Sequence, residues 1–151
     1  MNARPTEGII RAALLAILVI GLVGTEVELL LLKHVDGFWQ LVPVVLIGGG
    51  LVVTAWFALE KSARSLRALQ GTMLVFAASG ALGVVQHFLG NIDYARDSNP
   101  SLAGSELYRE AVMGSTPTLA PGTMVQLGLV GLVFAFRHPA LRRAGHGSND
   151  P

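Results

Sequence analysis

The chain has 151 residues, 52% of them hydrophobic and 14% charged, against roughly 25% charged in soluble domains, so an ordinary water-soluble domain is disfavoured. A net charge of +1 supplies no basic field for nucleic acid, and the lack of cysteine removes disulfides, thiolate metal sites, iron–sulfur clusters and cysteine nucleophiles together. With 18 Gly, 7 Pro and a mean hydropathy of +0.56, the composition fits neither a disordered chain nor a collagen-like one.

After a start containing Arg4 and Arg11, residues 12–32 are apolar apart from Thr25, Glu26 and Glu28. At about 1.5 Å per residue this stretch crosses the roughly 30 Å hydrocarbon layer of a bilayer. Residues 41–59 carry no charge, 68–89 hold Gln70, Gln86 and His87 as the strongly polar side chains, and 119–136 hold Gln126. A soluble helix shows a polar stripe about every 3.6 residues, whereas these segments are apolar nearly all round. A chain of this length has no core large enough to bury four of them. The expected fold is therefore all-α: an integral-membrane, up-down four-helix bundle with spans near 12–32, 41–59, 68–89 and 119–136. A cytoplasmic segment at 1–11 precedes the bundle and a disordered cytoplasmic tail at 140–151 follows it. The first span competes with a signal-peptide reading. Against that reading, its apolar run exceeds the roughly 7–15 residues of a signal core, no small-x-small cleavage site ends it, and Glu26 and Glu28 follow at once.

Orientation follows from the basic residues, because short Lys/Arg-rich loops stay on the cytoplasmic side. Arg4, Arg11, Lys61, Arg64, Arg67, Arg137, Arg142 and Arg143 fall on one side of the spans. Lys33, Arg96 and Arg109 fall on the other, offset by Asp36, Asp93, Asp97, Glu106 and Glu110. Both termini are thus expected in the cytoplasm. Lys61, Arg64 and Arg67, spaced by three, are expected on one face of a helical connection, where they set topology and meet anionic lipid.

Lipid removes the hydrophobic drive between helices, so small residues that allow close backbone approach are the expected contacts. Candidates at a spacing of four are Gly21 with Thr25, Gly50 with Thr54 and Ala58, Ser79 with Gly83, and Gly131 with Ala135. The run Gly48 to Gly50 reads as close packing or a kink, since no Lys-Ser/Thr follows to make a phosphate loop. In the outer loop at 90–118, Ser105 is placed to cap a helix from Glu106 to Met113, with Gly114 as its stop and Leu107, Tyr108, Ala111 and Val112 on one face. Pro121 fits the first turn of the fourth span, and Asn99-Pro100 marks a turn.

Ionisable groups inside a span are costly, which makes each a candidate site. Glu26 and Glu28 lie on opposite faces, and Glu26, the deeper, is taken as the inward carboxylate. Glu26, His87 and Gln126 lie at comparable depths near the outer end of three spans, with Asn91 one turn beyond His87 and His34 in the first outer loop. These five residues form the candidate polar intramembrane cluster. Its two readings are hydrogen-bonded glue between helices and a small-ligand or proton site in which carboxylate and imidazole favour each other's charged forms. Trp39 and Tyr94 read as interface anchors, and His138 and His146 as solvated side chains on the cytoplasmic side. No metal-ligand pair of the H-x-x-x-H or E-x-x-H type occurs, and haem held by His34 and His87 would need two ligands lying at one edge. Neither G-x-S-x-G, H-E-x-x-H nor a nucleotide-binding loop is present, so no catalytic residue, metal or cofactor is assigned.

The segments Glu28-Leu-Leu-Leu-Leu-Lys-His34, Trp39-Gln-Leu-Val-Pro43, His87-Phe-Leu-Gly-Asn91, Ala120-Pro-Gly-Thr-Met-Val-Gln126 and Arg137-His-Pro139 resemble a group of small bacterial four-helix membrane proteins with no assigned activity. In size and layout the chain is also similar to the DoxX-like four-helix membrane proteins, a likeness of fold alone. The resemblance implies residence in a bacterial cytoplasmic membrane and brings no ligand or catalytic residue. The expected role is a non-enzymatic small subunit or scaffold that contacts a membrane-protein partner or its own copies. The alternative is a carrier or redox accessory handling a proton, ion or quinone-like molecule at the outer polar cluster.

Overall fold

The computed structural model describes residues 5–114 and 116–141. These form five helices and no strand: α1 (Pro5–Leu31), α2 (Phe38–Glu60), α3 (Ala63–Ser98), α4 (Gly104–Val112) and α5 (Gly122–Ala135). Three of them, α1, α2 and α3, are long and apolar enough to cross a membrane. At about 1.5 Å per residue α1 and α2 measure roughly 40 and 35 Å, beyond the hydrocarbon thickness, and α3 measures roughly 54 Å. Much of the expected outer loop is thus helical, because α3 runs through Asn91 to Ser98 with no proline or glycine pair to stop it before Asn99-Pro100.

The fourth apolar stretch departs from expectation in the other direction. α5 has 14 residues, about 21 Å of helix, too short by itself for the hydrocarbon layer. Ahead of it, i to i−3 bonds link Ala120 to Pro117, Gly122 to Leu119, Thr123 to Ala120 and Met124 to Pro121. Pro121 lacks an N–H and disfavours the α conformation at Ala120, so tighter turns replace regular helix there. Pro121 consequently precedes α5 rather than occupying its first turn.

The helix ends are built by local chemistry. α1 closes in a Schellman turn: the His34 N–H donates to Leu29 O and the Lys33 N–H to Leu30 O, with Lys33 left-handed at φ 51°. Lys61 after α2 and Arg137 after α5 also take the left-handed conformation usually given to glycine, at φ 50° and 49°. Each places a cation beside the negative end of a helix dipole, which offsets part of the conformational cost. Lys61 therefore caps α2 and does not share a helix with Arg64 and Arg67, which lie exposed on the first turns of α3. α3 starts with a reciprocal serine box, in which the Ser65 N–H donates to Ser62 Oγ and the Ser62 N–H to Ser65 Oγ. α4 starts two residues earlier than expected, at Gly104, with Ala103 at its N-cap in place of Ser105 and Met113 at its C-cap.

The described chain divides into two compact units, one from Met1–Phe76 with Leu127–Pro151 and the other Ala77–Gln126. The core of the first unit is Leu18, Leu22, Ile47, Leu66, Leu69, Met73 and Phe76, all without solvent exposure. Three glycines allow this packing. A Cβ on Gly50 would stand 2.7 Å from the Phe76 ring, one on Gly21 would overlap Leu127, and one on Gly131 would overlap Met73. The neighbouring Gly49 has nothing within 4 Å of such a Cβ, so within the run only Gly50 is a tight contact, and α2 passes through it unbroken. In the second unit Gly80 comes against backbone, its Cβ position lying 2.7 Å from Pro121 O and 2.8 Å from Val125 N, and Gly83 lies against the Pro121 ring. Outside these contacts the long helices expose aliphatic side chains, among them Ile9, Ile20, Leu31, Val52 and Leu59.

Candidate functional site

Glu26 and His34 belong to the first unit, His87, Asn91 and Gln126 to the second. In the first, Glu26 is half-buried on α1 and Glu28 is exposed, as residues two apart on a helix must face different ways. Glu26 Oε1 lies 3.7 Å from where a Cβ on Gly48 would be, so the carboxylate abuts the glycine run of α2. Its Oε2 is shielded from solvent and accepts no hydrogen bond among the described residues. His34 is half-buried in the turn after α1, where its backbone N–H completes the Schellman motif.

In the second unit, two of the expected residues are brought onto one segment. Asn91 is 3% exposed, and its side chain forms a two-way amide pair with Thr116, Nδ2 donating to Thr116 O at 2.8 Å and Oδ1 accepting from the Thr116 N–H at 3.3 Å. Nδ2 also lies 3.0 Å from Ala111 O and 3.1 Å from Thr118 Oγ1. The Thr118 hydroxyl in turn reaches Ala111 O at 3.1 Å and Val112 O at 3.2 Å, the carbonyls left open at the end of α4. Gly114, expected as the helix stop, instead makes room: a Cβ there would sit 2.8 Å from the Asn91 side chain. One helical turn earlier on α3, His87 Nδ1 is 3.0 Å from Pro117 O. A carbonyl can only accept, so Nδ1 carries the proton and Nε2 holds the lone pair in the neutral ring. His87 and Asn91 together tie the return segment 111–118 to α3. Gln126 is exposed and joins neither bond set among the described residues.

At the opposite end of α1 stands Arg11, which by sequence alone is only a topological charge. Arg11 donates from Nη1 to Phe134 O at 2.7 Å and from Nη2 to Phe136 O at 3.1 Å and Arg137 O at 3.4 Å, while Glu7 Oε1 receives Nη2 at 2.8 Å and Nε at 3.3 Å. A guanidinium on α1 thereby caps the carbonyl end of α5, more than 120 residues away in the chain. The only sequence signal for it was a Glu7–Arg11 pair four apart at the head of an apolar span. Beside it, His138 packs its ring against Phe57 and Phe134, and its Nδ1 accepts the Ala140 N–H at 3.2 Å. His138 is thus half-buried rather than solvated. Burial first, and then the Arg11 charge, hold its pKa below the usual histidine value, with Glu7 opposing them. His146 lies outside the described residues.

Two clefts flank Arg11. One of about 450 Å³ is lined by Thr6, Ile10, Val133 and Phe136 with the Glu7–Arg11 pair. The other, about 380 Å³, has Arg11, Lys61 and His138 at its polar positions and Leu15, Phe57 and Phe134 among its apolar ones. Among the described residues no group of three His, Asp or Glu side chains is arranged to hold a metal ion. Comparison with family models, curated proteins and solved structures finds no match to this chain.

Proposed function

We propose that this protein is a four-span protein of a bacterial cytoplasmic membrane, with both termini in the cytoplasm, acting as a non-enzymatic small subunit or scaffold of a membrane complex. The observation that carries the reading is how its polar side chains are used. Asn91 and His87 on α3 bond the backbone of Thr116 and Pro117, and Arg11 on α1 bonds backbone carbonyls at the end of α5, which is what glue between distant segments does. The aliphatic surface left outside suits acyl chains, and α4 leaves Tyr108, Val112 and Met113 exposed for a partner at the outer surface. α5 and its preceding turns form the fourth crossing, 119–136, in an extended enough conformation to approach the bilayer thickness. Cross-linking in native membrane followed by detergent extraction tests the role. A partner or a homo-oligomer is expected, and a bare monomer with nothing cross-linked overturns it. Reporter fusions at the two ends test the threading, which fails if the ends lie on opposite sides.

A second reading rests on Glu26. A carboxylate with one shielded oxygen, Oε2, that accepts no hydrogen bond among the described residues and the other, Oε1, beside Gly48 is the arrangement a proton or cation carrier would use. If Glu26→Gln and His87→Ala variants both restore full function to a deletion strain, this carrier reading is excluded.

A further inference from the structure

We infer that the 380 Å³ cleft bounded by Arg11, Lys61 and His138 is a binding site for one anionic phospholipid, its phosphate held by Lys61 and His138 beside Arg11 and an acyl chain along the wall formed by Ala12, Leu15 and Ala58. The inference rests on the membrane reading and adds a ligand to it. No carboxylate lines this cleft. Of the two nearest in sequence to its basic groups, Glu7 pairs with Arg11 and offsets its charge, while Glu60 receives the Trp56 indole N–H, so Lys61 is the cation left to draw an anion into the cleft. The carbonyl end of α5 would repel an anion, but Arg11 covers three of those carbonyls, and Lys61 lines the same cleft with an ammonium.

The donors also match a phosphate. Lys61 is exposed, and its ammonium has no acceptor among the described residues. His138 uses Nδ1 as an acceptor, so its neutral ring keeps Nε2–H as a donor without needing a charge. A free inorganic anion would gain nothing from the apolar wall, whereas a lipid uses both halves of the cleft. The location agrees, for Lys61 ends α2, Arg11 lies in the second turn of α1, and exposed Leu59 and Ile9 flank them, so the polar groups stand where apolar surface gives way to charge.

The full-length protein, extracted from membranes and exchanged into micelles, is mixed with phosphatidylglycerol, phosphatidylcholine or inorganic phosphate and examined by native mass spectrometry. Lys61→Asn removes the cation while suiting the left-handed backbone, so the fold is retained, and Arg67→Asn removes an exposed charge that does not line the cleft. Wild type is expected to retain phosphatidylglycerol over phosphatidylcholine, Lys61→Asn to lose about fivefold in that retention, and Arg67→Asn to behave as wild type. Equal losses in the two variants, equal retention of the two lipids, or displacement of the lipid by inorganic phosphate overturns the site while leaving the membrane reading intact. A protein that never pellets with membranes overturns that reading first.

Discussion

Replacing Arg11 should loosen the end of α5 without touching any apolar contact, if methionine is used to keep the unbranched stem. The bond to Phe134 O is 2.7 Å long, partly buried and charge-assisted, which places it at about 1.5–3 kcal/mol. The two longer bonds to Phe136 O and Arg137 O are exposed, and with the dipole interaction they add about 0.3–1 kcal/mol. The pair with Glu7 is an i,i+4 ion pair contributing about 0.3–0.5 kcal/mol. Arg11→Met should therefore cost about 2–4 kcal/mol, read by mixed-micelle denaturation, with thermal unfolding lowered by roughly 5–10 °C. Glu7→Gln should cost a small fraction of that, because the carbonyl bonds survive it. If Arg11→Met stays within about 0.5 kcal/mol of wild type, or Glu7→Gln is equally damaging, the guanidinium is not the clamp described.

Other perturbations discriminate between contacts in the same way. Gly80→Ala drives a methyl into Pro121 O and Val125 N, which as backbone cannot yield, and should cost about 1–3 kcal/mol in the same denaturation assay. Gly49→Ala meets open space and should be neutral or stabilising by up to about 1 kcal/mol. Asn91→Ala removes a buried amide that serves backbone on two sides; a loss of about 1–3 kcal/mol is expected, together with faster proteolysis within 112–118, and unchanged cleavage there would refute the anchor. His138 has a folded pKa below its unfolded one, so its contribution is fully present above the usual histidine value and is lost as pH falls through the depressed folded value. Unfolding compared between pH 7.5 and 5 should show that loss in wild type and a smaller one in His138→Gln; identical slopes would count against the buried neutral ring.

Much of the helical plan is legible from short windows, because apolar runs about 20 residues long report their own preference for helix and lipid whatever lies elsewhere in the chain. That is why α1, α2 and the middle of α3 stand where the hydropathy pattern puts them. The edges were less legible. By spacing Lys61 belongs to a basic helical face, and only its left-handed conformation after α2 takes it out of that helix. By position Gly114 is a helix stop, yet its lack of a side chain serves Asn91 from another helix.

What the amino-acid order determined alone was composition, helix-forming runs and the asymmetry of basic residues, all properties of neighbouring positions. What tertiary structure decided was which acceptor each polar group finds: Phe134 O for Arg11, Thr116 for Asn91, Pro117 O for His87. A buried donor must be satisfied, but any carbonyl of the right reach will do so, and only the packing of distant segments selects one.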